Sequence, residues 1–135
     1  MIYTSFFDNI GNIVKSIPNA RFVSIAGKTP IDFVGKKYKS LMPHWSWWRE
    51  WHDTFKDSLE SEESRKWYTS RYCKTVLNIL DPLSTARELK DLADWQPTFI
   101  MCYEPIGKFC HRHIVAEWLT KYSIDCKEWS NEDKS

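Results

Sequence analysis

Apolar residues recur along this chain at two spacings, and the spacing decides which element each stretch predicts. Residues 2–6 (Ile-Tyr-Thr-Ser-Phe), 21–26 (Arg-Phe-Val-Ser-Ile-Ala) and 98–103 (Thr-Phe-Ile-Met-Cys-Tyr) are short runs rich in β-branched and aromatic side chains, the pattern of strands. The third is apolar almost throughout, as a strand buried on both faces of a parallel sheet must be. A last short strand is expected over 125–129. Elsewhere the period lengthens to three and four. Pro43 can open a helix on which Trp47/Trp48, Trp51 and Phe55 share one face. Residues 61–80 predict the clearest helix, with Glu62 and Glu63 in its first turn and Tyr68, Tyr72, Cys73, Val76, Leu77 and Leu80 forming a stripe. Asp81-Pro82 stops it, and a further helix carries Leu83, Ala86, Leu89, Leu92 and Ala93. The final helix spans 110–122, with Ile114, Val115, Trp118, Leu119 and Tyr122 facing inward. Turns are expected at Asp8-Asn9 and Gly11-Asn12, and an irregular stretch over 28–42. Strands alternating with helices predict a three-layer α/β domain with a mostly parallel sheet of about four strands.

Composition narrows the class without naming a function. The 135 residues fit one domain, read here as 1–129 with a polar tail over 130–135. Charges nearly cancel, at a formal +1, which excludes a polybasic or acidic tail as the main theme. Eight Trp, six Tyr and seven Phe are unusual for so short a chain and promise a large aromatic core, aromatic binding surfaces, or both. The first residues lack a basic n-region and an apolar stretch, and nowhere do 18 apolar residues run together, so a cytoplasmic protein without a membrane span is expected. In that setting Cys73, Cys102, Cys110 and Cys126 are expected as free thiols or ligands rather than a disulfide frame.

In parallel sheets ligands bind beyond the carboxyl ends of the strands, close to helix N-termini. That rule points to Thr4 and Ser5, to Gly27 and Lys28, and above all to the segment from Cys102 to His113. Glu104 stands at a strand end, where partial burial would suit it to acid–base work or to stabilising a cationic centre; pairing with Lys108 or Arg112 is the plainer alternative. Cys110, His111 and Arg112 open a helix whose free N–H groups favour anions and lower a thiol's pKa. A phosphatase-type loop is poorly matched, since Lys108 stands where an Arg is needed relative to Cys102. A second feature mixes charge with rings: Lys36, Lys37 and Lys39, then His44, Trp45, Trp47, Trp48, Arg49, Trp51 and His52, as in stacking platforms for nucleic-acid bases. Of these rings, Trp48, Trp51 and Phe55 are expected in the core, and Trp45 and Trp47 at a ligand.

The block Cys102-Tyr103-Glu104, Gly107, Phe109-Cys110-His111-Arg112-His113-Ile114-Val115-Ala116-Glu117-Trp118-Leu119 resembles the signature of domain-of-unknown-function family 488. Residues 4–9, 24–30 and 38–43 are similar to blocks of its short bacterial and phage members. Asp8 departs from the pattern, which has Gly before Asn9. The resemblance implies a small intracellular α/β domain and supplies no reaction.

Three functional readings follow from the residues. In the first, the chain is an enzyme acting on a nucleotide, a nucleoside or a base in nucleic acid, with N-glycosidic hydrolysis as the candidate reaction. Glu104, Cys110 and His111 form its catalytic set; Thr4, Ser5, Gly27, Lys28, Arg112, His113, Trp45 and Trp47 bind the ligand. In the second, the same pocket binds nucleic acid or a nucleotide without catalysis, helped by Lys36, Lys37 and Lys39. The third is a metal or redox protein using Cys102, Cys110 and His113. No cofactor and no metal ligand are assigned on the leading reading.

Overall fold

The computed structural model describes residues 1–130, so that most of the expected tail (131–135) lies outside the described residues. Its elements are strand β1 (Ile2–Phe6), helix α1 (Ile10–Ser16), β2 (Arg21–Ser24), β3 (Lys36–Lys37), α2 (Trp45–Phe55), α3 (Glu62–Thr75), α4 (Pro82–Leu92), β4 (Thr98–Cys102), α5 (His111–Lys121) and β5 (Cys126–Glu128). The five strands form one all-parallel sheet in the order β3-β2-β4-β1-β5. The domain is therefore α/β, as the alternation of periods predicts, with five strands where about four are expected.

β4 sits at the centre and all five of its residues are buried. Alternate side chains divide between two cores. Phe99 and Met101 join Phe22, Ile13 and Trp129 on the α1 face; Ile100, with Ile2 and Val23, joins the larger core that α2, α3, α4 and α5 close. The chain leaves β1 through α1 towards β2, and leaves β4 through α5 towards β5, in opposite directions along the sheet. Right-handed crossovers running opposite ways place their helices on opposite faces. That is the physical origin of the three layers.

Caps mark the helix starts. The Ser61 hydroxyl accepts the Ser64 N–H at 3.1 Å, and the Asp81 carboxylate accepts the Ser84 N–H at 2.8 Å with Pro82 at the first helical position. The helix expected over 61–80 ends at Thr75, the one expected from Pro43 begins at Trp45, and two further stretches change type. Residues 10–16 form α1 rather than turns. Gly11 and Asn12 are poor helix formers, but Ile10, Ile13 and Ile17 recur at helical spacing and pack on the sheet, and that burial outweighs propensity. Lys36 and Lys37, read as irregular, make a two-residue edge strand whose exposed lysines discourage further strand pairing. Gly35 precedes them because a Cβ there would come within 2.5 Å of the Phe22 carbonyl oxygen. No helix among the described residues is long and apolar enough to cross a membrane.

Candidate functional site

A cavity of about 720 Å³ opens beyond the carboxyl ends of β2 and β4, roofed by α2. This is the location that parallel topology favours, and a size that suits a small organic ligand. Three groups of residues build it.

The floor comes from the end of β4 and the start of α5. Cys102 is the last residue of the central strand, Cys110 is the N-cap of α5, and His111 is its first helical residue; all three are buried. His111 Nε2 lies 2.7 Å from the Ile25 carbonyl oxygen. A carbonyl only accepts, so Nε2 carries a proton and Nδ1 is turned to the sulfurs, 3.6 Å from Cys102 Sγ and 4.0 Å from Cys110 Sγ. Burial alone would raise the Cys110 thiol. The hydrogen bond from Cys102 and the neighbouring His111 and Arg112 side chains outweigh it, and the thiol falls well below its usual range. Cys102, hydrogen-bonded to Cys110 and deeply buried, moves well above it. The two thiols, coupled to one another, are thus pushed in opposite directions.

The wall is aromatic. Trp45, Trp48 and His52 lie at helical spacing on one side of α2. Their rings stack nearly parallel, 5.3 Å apart at 14° for Trp45 and Trp48, and 5.2 Å apart at 13° for Trp48 and His52. Trp51, Tyr68 and Phe109 complete the lining. Trp51 is held by Ser64, whose hydroxyl accepts the indole N–H at 2.9 Å. Glu60 pins the end of the neighbouring loop, accepting the Phe109 N–H at 3.0 Å and the Arg65 guanidinium at 2.7 Å.

The rim is polar. Gly27 and Lys28 follow β2, and Tyr103 and Glu104 follow β4. The Tyr103 hydroxyl donates to the Lys28 carbonyl and ties the two loops together. Glu104 is exposed at this rim, and its carboxyl is raised by partial desolvation, then by the charges of Cys110 and Glu60. The loop beyond turns at Gly107, whose φ of +90° an L side chain rarely adopts.

The structure thus brings Glu104, Cys110, His111, Gly27, Lys28 and Trp45 together. Other expected site residues lie elsewhere. Thr4, Ser5 and Arg112 are fully buried. Arg112 binds Glu128 of β5 through two N–H···O bonds of 3.0 and 2.9 Å, Thr4 donates to the same carboxylate at 2.6 Å, and Phe6 lies under the guanidinium at 5.8 Å. Ser5 points to the other face of the sheet, where its hydroxyl accepts from Asn9 at 3.2 Å. His113 is partly buried, and burial and then the Arg112 charge lower its pKa. Trp47 is buried to 4% exposure in the core against Tyr68; Trp48, expected in the core, takes the place in the cavity. Lys36 and Lys37 on the edge strand β3, and Lys39 just after it, are exposed and are not among the residues that line the cavity.

Over residues 15–123 the chain matches the family model DUF488-N3a, described as the active DUF488-N3 subclade. The chain belongs to the DUF488 family. No curated protein and no solved structure matches it. The matched span carries the whole cavity of this DUF488 domain, whereas β1 and Glu128 of β5 lie beyond its two ends.

Sequence reasoning overlooked two features of the DUF488 cavity. The 45, 48, 52 spacing is itself the signal of a column of rings along one helical face. That His111 rather than His113 meets the sulfurs has no such signal, because it depends on where the Ile25 carbonyl lies.

Proposed function

We propose that this protein is an enzyme acting on a nucleobase-bearing substrate, a nucleoside, a nucleotide or a base in nucleic acid, and that it hydrolyses the N-glycosidic bond. The observation that supports this reading is the parallel column Trp45–Trp48–His52 in a cavity rimmed by Glu104 and Lys28. A flat ligand stacks on such a column whatever its hydrogen-bonding edge, because every base offers a π-face. Trp45 is 66% exposed, so the outer ring has area to cover. Lys28 meets a phosphate where one is present. Glu104 faces the sugar: it takes a proton from the attacking water or stabilises the oxocarbenium-like centre. The sugar-carbon-to-nitrogen bond breaks, the water oxygen takes the carbon, and a proton leaves with the base. Arg112 serves from behind the floor and does not touch the ligand, since it is not among the residues that line the cavity and Glu128 holds its Nε and Nη2.

The test is product analysis by chromatography after incubation with nucleosides, nucleotides and single-stranded oligonucleotides. Release of free base is expected from the wild-type chain. Glu104→Gln is expected to lower turnover by about 10²–10⁴-fold while ligand-induced thermal stabilisation survives. Full activity in Glu104→Gln removes the carboxylate from the reaction. Binding without any product, in wild type and variant alike, supports a binding module instead.

A further inference from the structure

We propose that Cys102 Sγ, Cys110 Sγ and His111 Nδ1 bind a zinc-class divalent cation at the floor of the cavity, with its fourth position open to the ligand. The three ligand atoms lie within 4.8 Å of one another. Zinc takes sulfur at about 2.3 Å and imidazole nitrogen at about 2.0–2.1 Å. Tetrahedral angles then require about 3.6 Å between sulfur and nitrogen and about 3.8 Å between the sulfurs. The observed nitrogen-to-sulfur separations are 3.6 and 4.0 Å, within a few tenths of an ångström of that geometry, and the sulfurs lie within 4.8 Å of each other.

A second observation points the same way. A ligating histidine usually gives its other ring N–H to a carbonyl or carboxylate, which fixes the tautomer and aims the ring. His111 does this with the Ile25 carbonyl at 2.7 Å. The donors also stand on elements already locked in place: the end of a fully buried central strand, the first turn of a packed helix, and a carbonyl just past β2. No loop has to close to make the site.

Donor chemistry selects the ion. Two thiolates and an imidazole suit zinc and related soft or borderline cations, not magnesium or calcium. Two thiolates also neutralise a dication, which answers the cost of burying either alone. Three protein ligands leave one position for water or a substrate atom, the pattern of reactive rather than structural zinc. All three ligand residues line the same cavity as Glu104 and the aromatic wall, so that position is open to it. Cys73, Cys126 and His113 are not part of the group.

This inference goes beyond the proposed reaction and does not need it, because metal content is read without turnover. The full chain is purified without chelator and its metal measured by elemental analysis; chelator-treated protein is then titrated with cobalt(II). One ion per chain is expected, together with the sulfur-to-cobalt charge-transfer band and the visible bands of a tetrahedral site. Cys110→Ser, Cys102→Ser and His111→Ala are expected to weaken binding by more than the about 10–100-fold that losing an outer-shell partner costs. His113→Ala and Cys126→Ser are expected to keep both the stoichiometry and the spectrum. No charge-transfer band in the wild-type chain overturns the proposal, and this result does not depend on any variant folding. An unchanged spectrum in folded Cys110→Ser also overturns it, as does loss of the ion in folded His113→Ala with retention in His111→Ala. Metal-free protein that lacks two titratable thiols after denaturation overturns it in favour of a Cys102–Cys110 disulfide. A bound ion in a protein that forms no product leaves the metal assignment standing and removes the hydrolase reading.

Discussion

His111 and Arg112 are neighbours in the first turn of one helix, yet they serve opposite kinds of site. Successive helical residues point about 100° apart. His111 therefore turns towards β2, to two sulfurs and an open cavity, while Arg112 turns towards β1 and β5, where Glu128 holds it in a closed pair. On the Arg112 side most groups are committed to one another, in a bidentate ion pair through Nε and Nη2, a threonine hydroxyl on the same carboxylate and a ring beneath the guanidinium, while Nη1 is buried without a hydrogen-bond partner. On the His111 side the acceptor nitrogen and the sulfurs face one another beside empty volume, with the glutamate and the rings around it. The comparison teaches that a cluster of chemical residue types in a sequence divides into structure and chemistry according to which side of the helix each one leaves.

The strongest way to break this comparison is to remove Glu128. Glu128→Ala leaves the Arg112 guanidinium buried without its charge partner, and a loss of about 3–5 kcal/mol in unfolding free energy is expected from urea denaturation. A loss below about 1 kcal/mol would place Arg112 among the available functional groups after all. The cavity side predicts the reverse balance of effects. Trp45 is exposed, so Trp45→Ala is expected to change stability by no more than about 0.5 kcal/mol. It should weaken binding of a base-bearing ligand by about 1–3 kcal/mol, measured by calorimetry. Equal losses in stability and binding would make Trp45 a packing residue.

A smaller effect sharpens the contrast, because Tyr38 gives Glu88 the neutral counterpart of the Arg112 pair, donating its hydroxyl at 2.8 Å. Tyr38→Phe is expected to cost about 1 kcal/mol at neutral pH, since the exposed Glu88 is left to water. Burial first, and then the Glu88 charge, push the Tyr38 hydroxyl up to about 12, against an ordinary value of 10.0. Because the folded value is the higher one, this contribution is complete below pH about 10 and is lost as the pH rises to about 12. The variant should therefore lose less stability than the wild type across that window, as read from paired denaturation curves. Cys126, also raised to about 12 by burial, titrates in both proteins and cancels from the difference.

Much of the architecture was legible because it follows from local rules. The apolar run at 98–103, the acidic first turn at Glu62 and Glu63, the Asp81-Pro82 break and the alternation of periods identify the central strand, two helices and the layer class. Helix α1 was obscured by Gly11 and Asn12, whose poor propensity is outweighed only once Ile10, Ile13 and Ile17 meet the sheet. The site was legible as a segment and not as an assembly. The block from Cys102 to His113 supplies part of the cavity lining, but chemistry-bearing types alone could not separate His111 from His113, Trp48 from Trp47, or Arg112 from the cavity.

By itself the sequence determined the α/β class, the position of the chemical cluster at strand ends and a helix start, and the abundance of rings available to build a wall. Those follow from period, punctuation and composition, which act over a few residues. Only the tertiary structure decided which neighbours face the cavity. The rotation of each side chain about its helix counts only against what lies across from it. Here the Ile25 carbonyl and the Glu128 carboxylate, each brought from a distant strand, settle the roles of two adjacent residues.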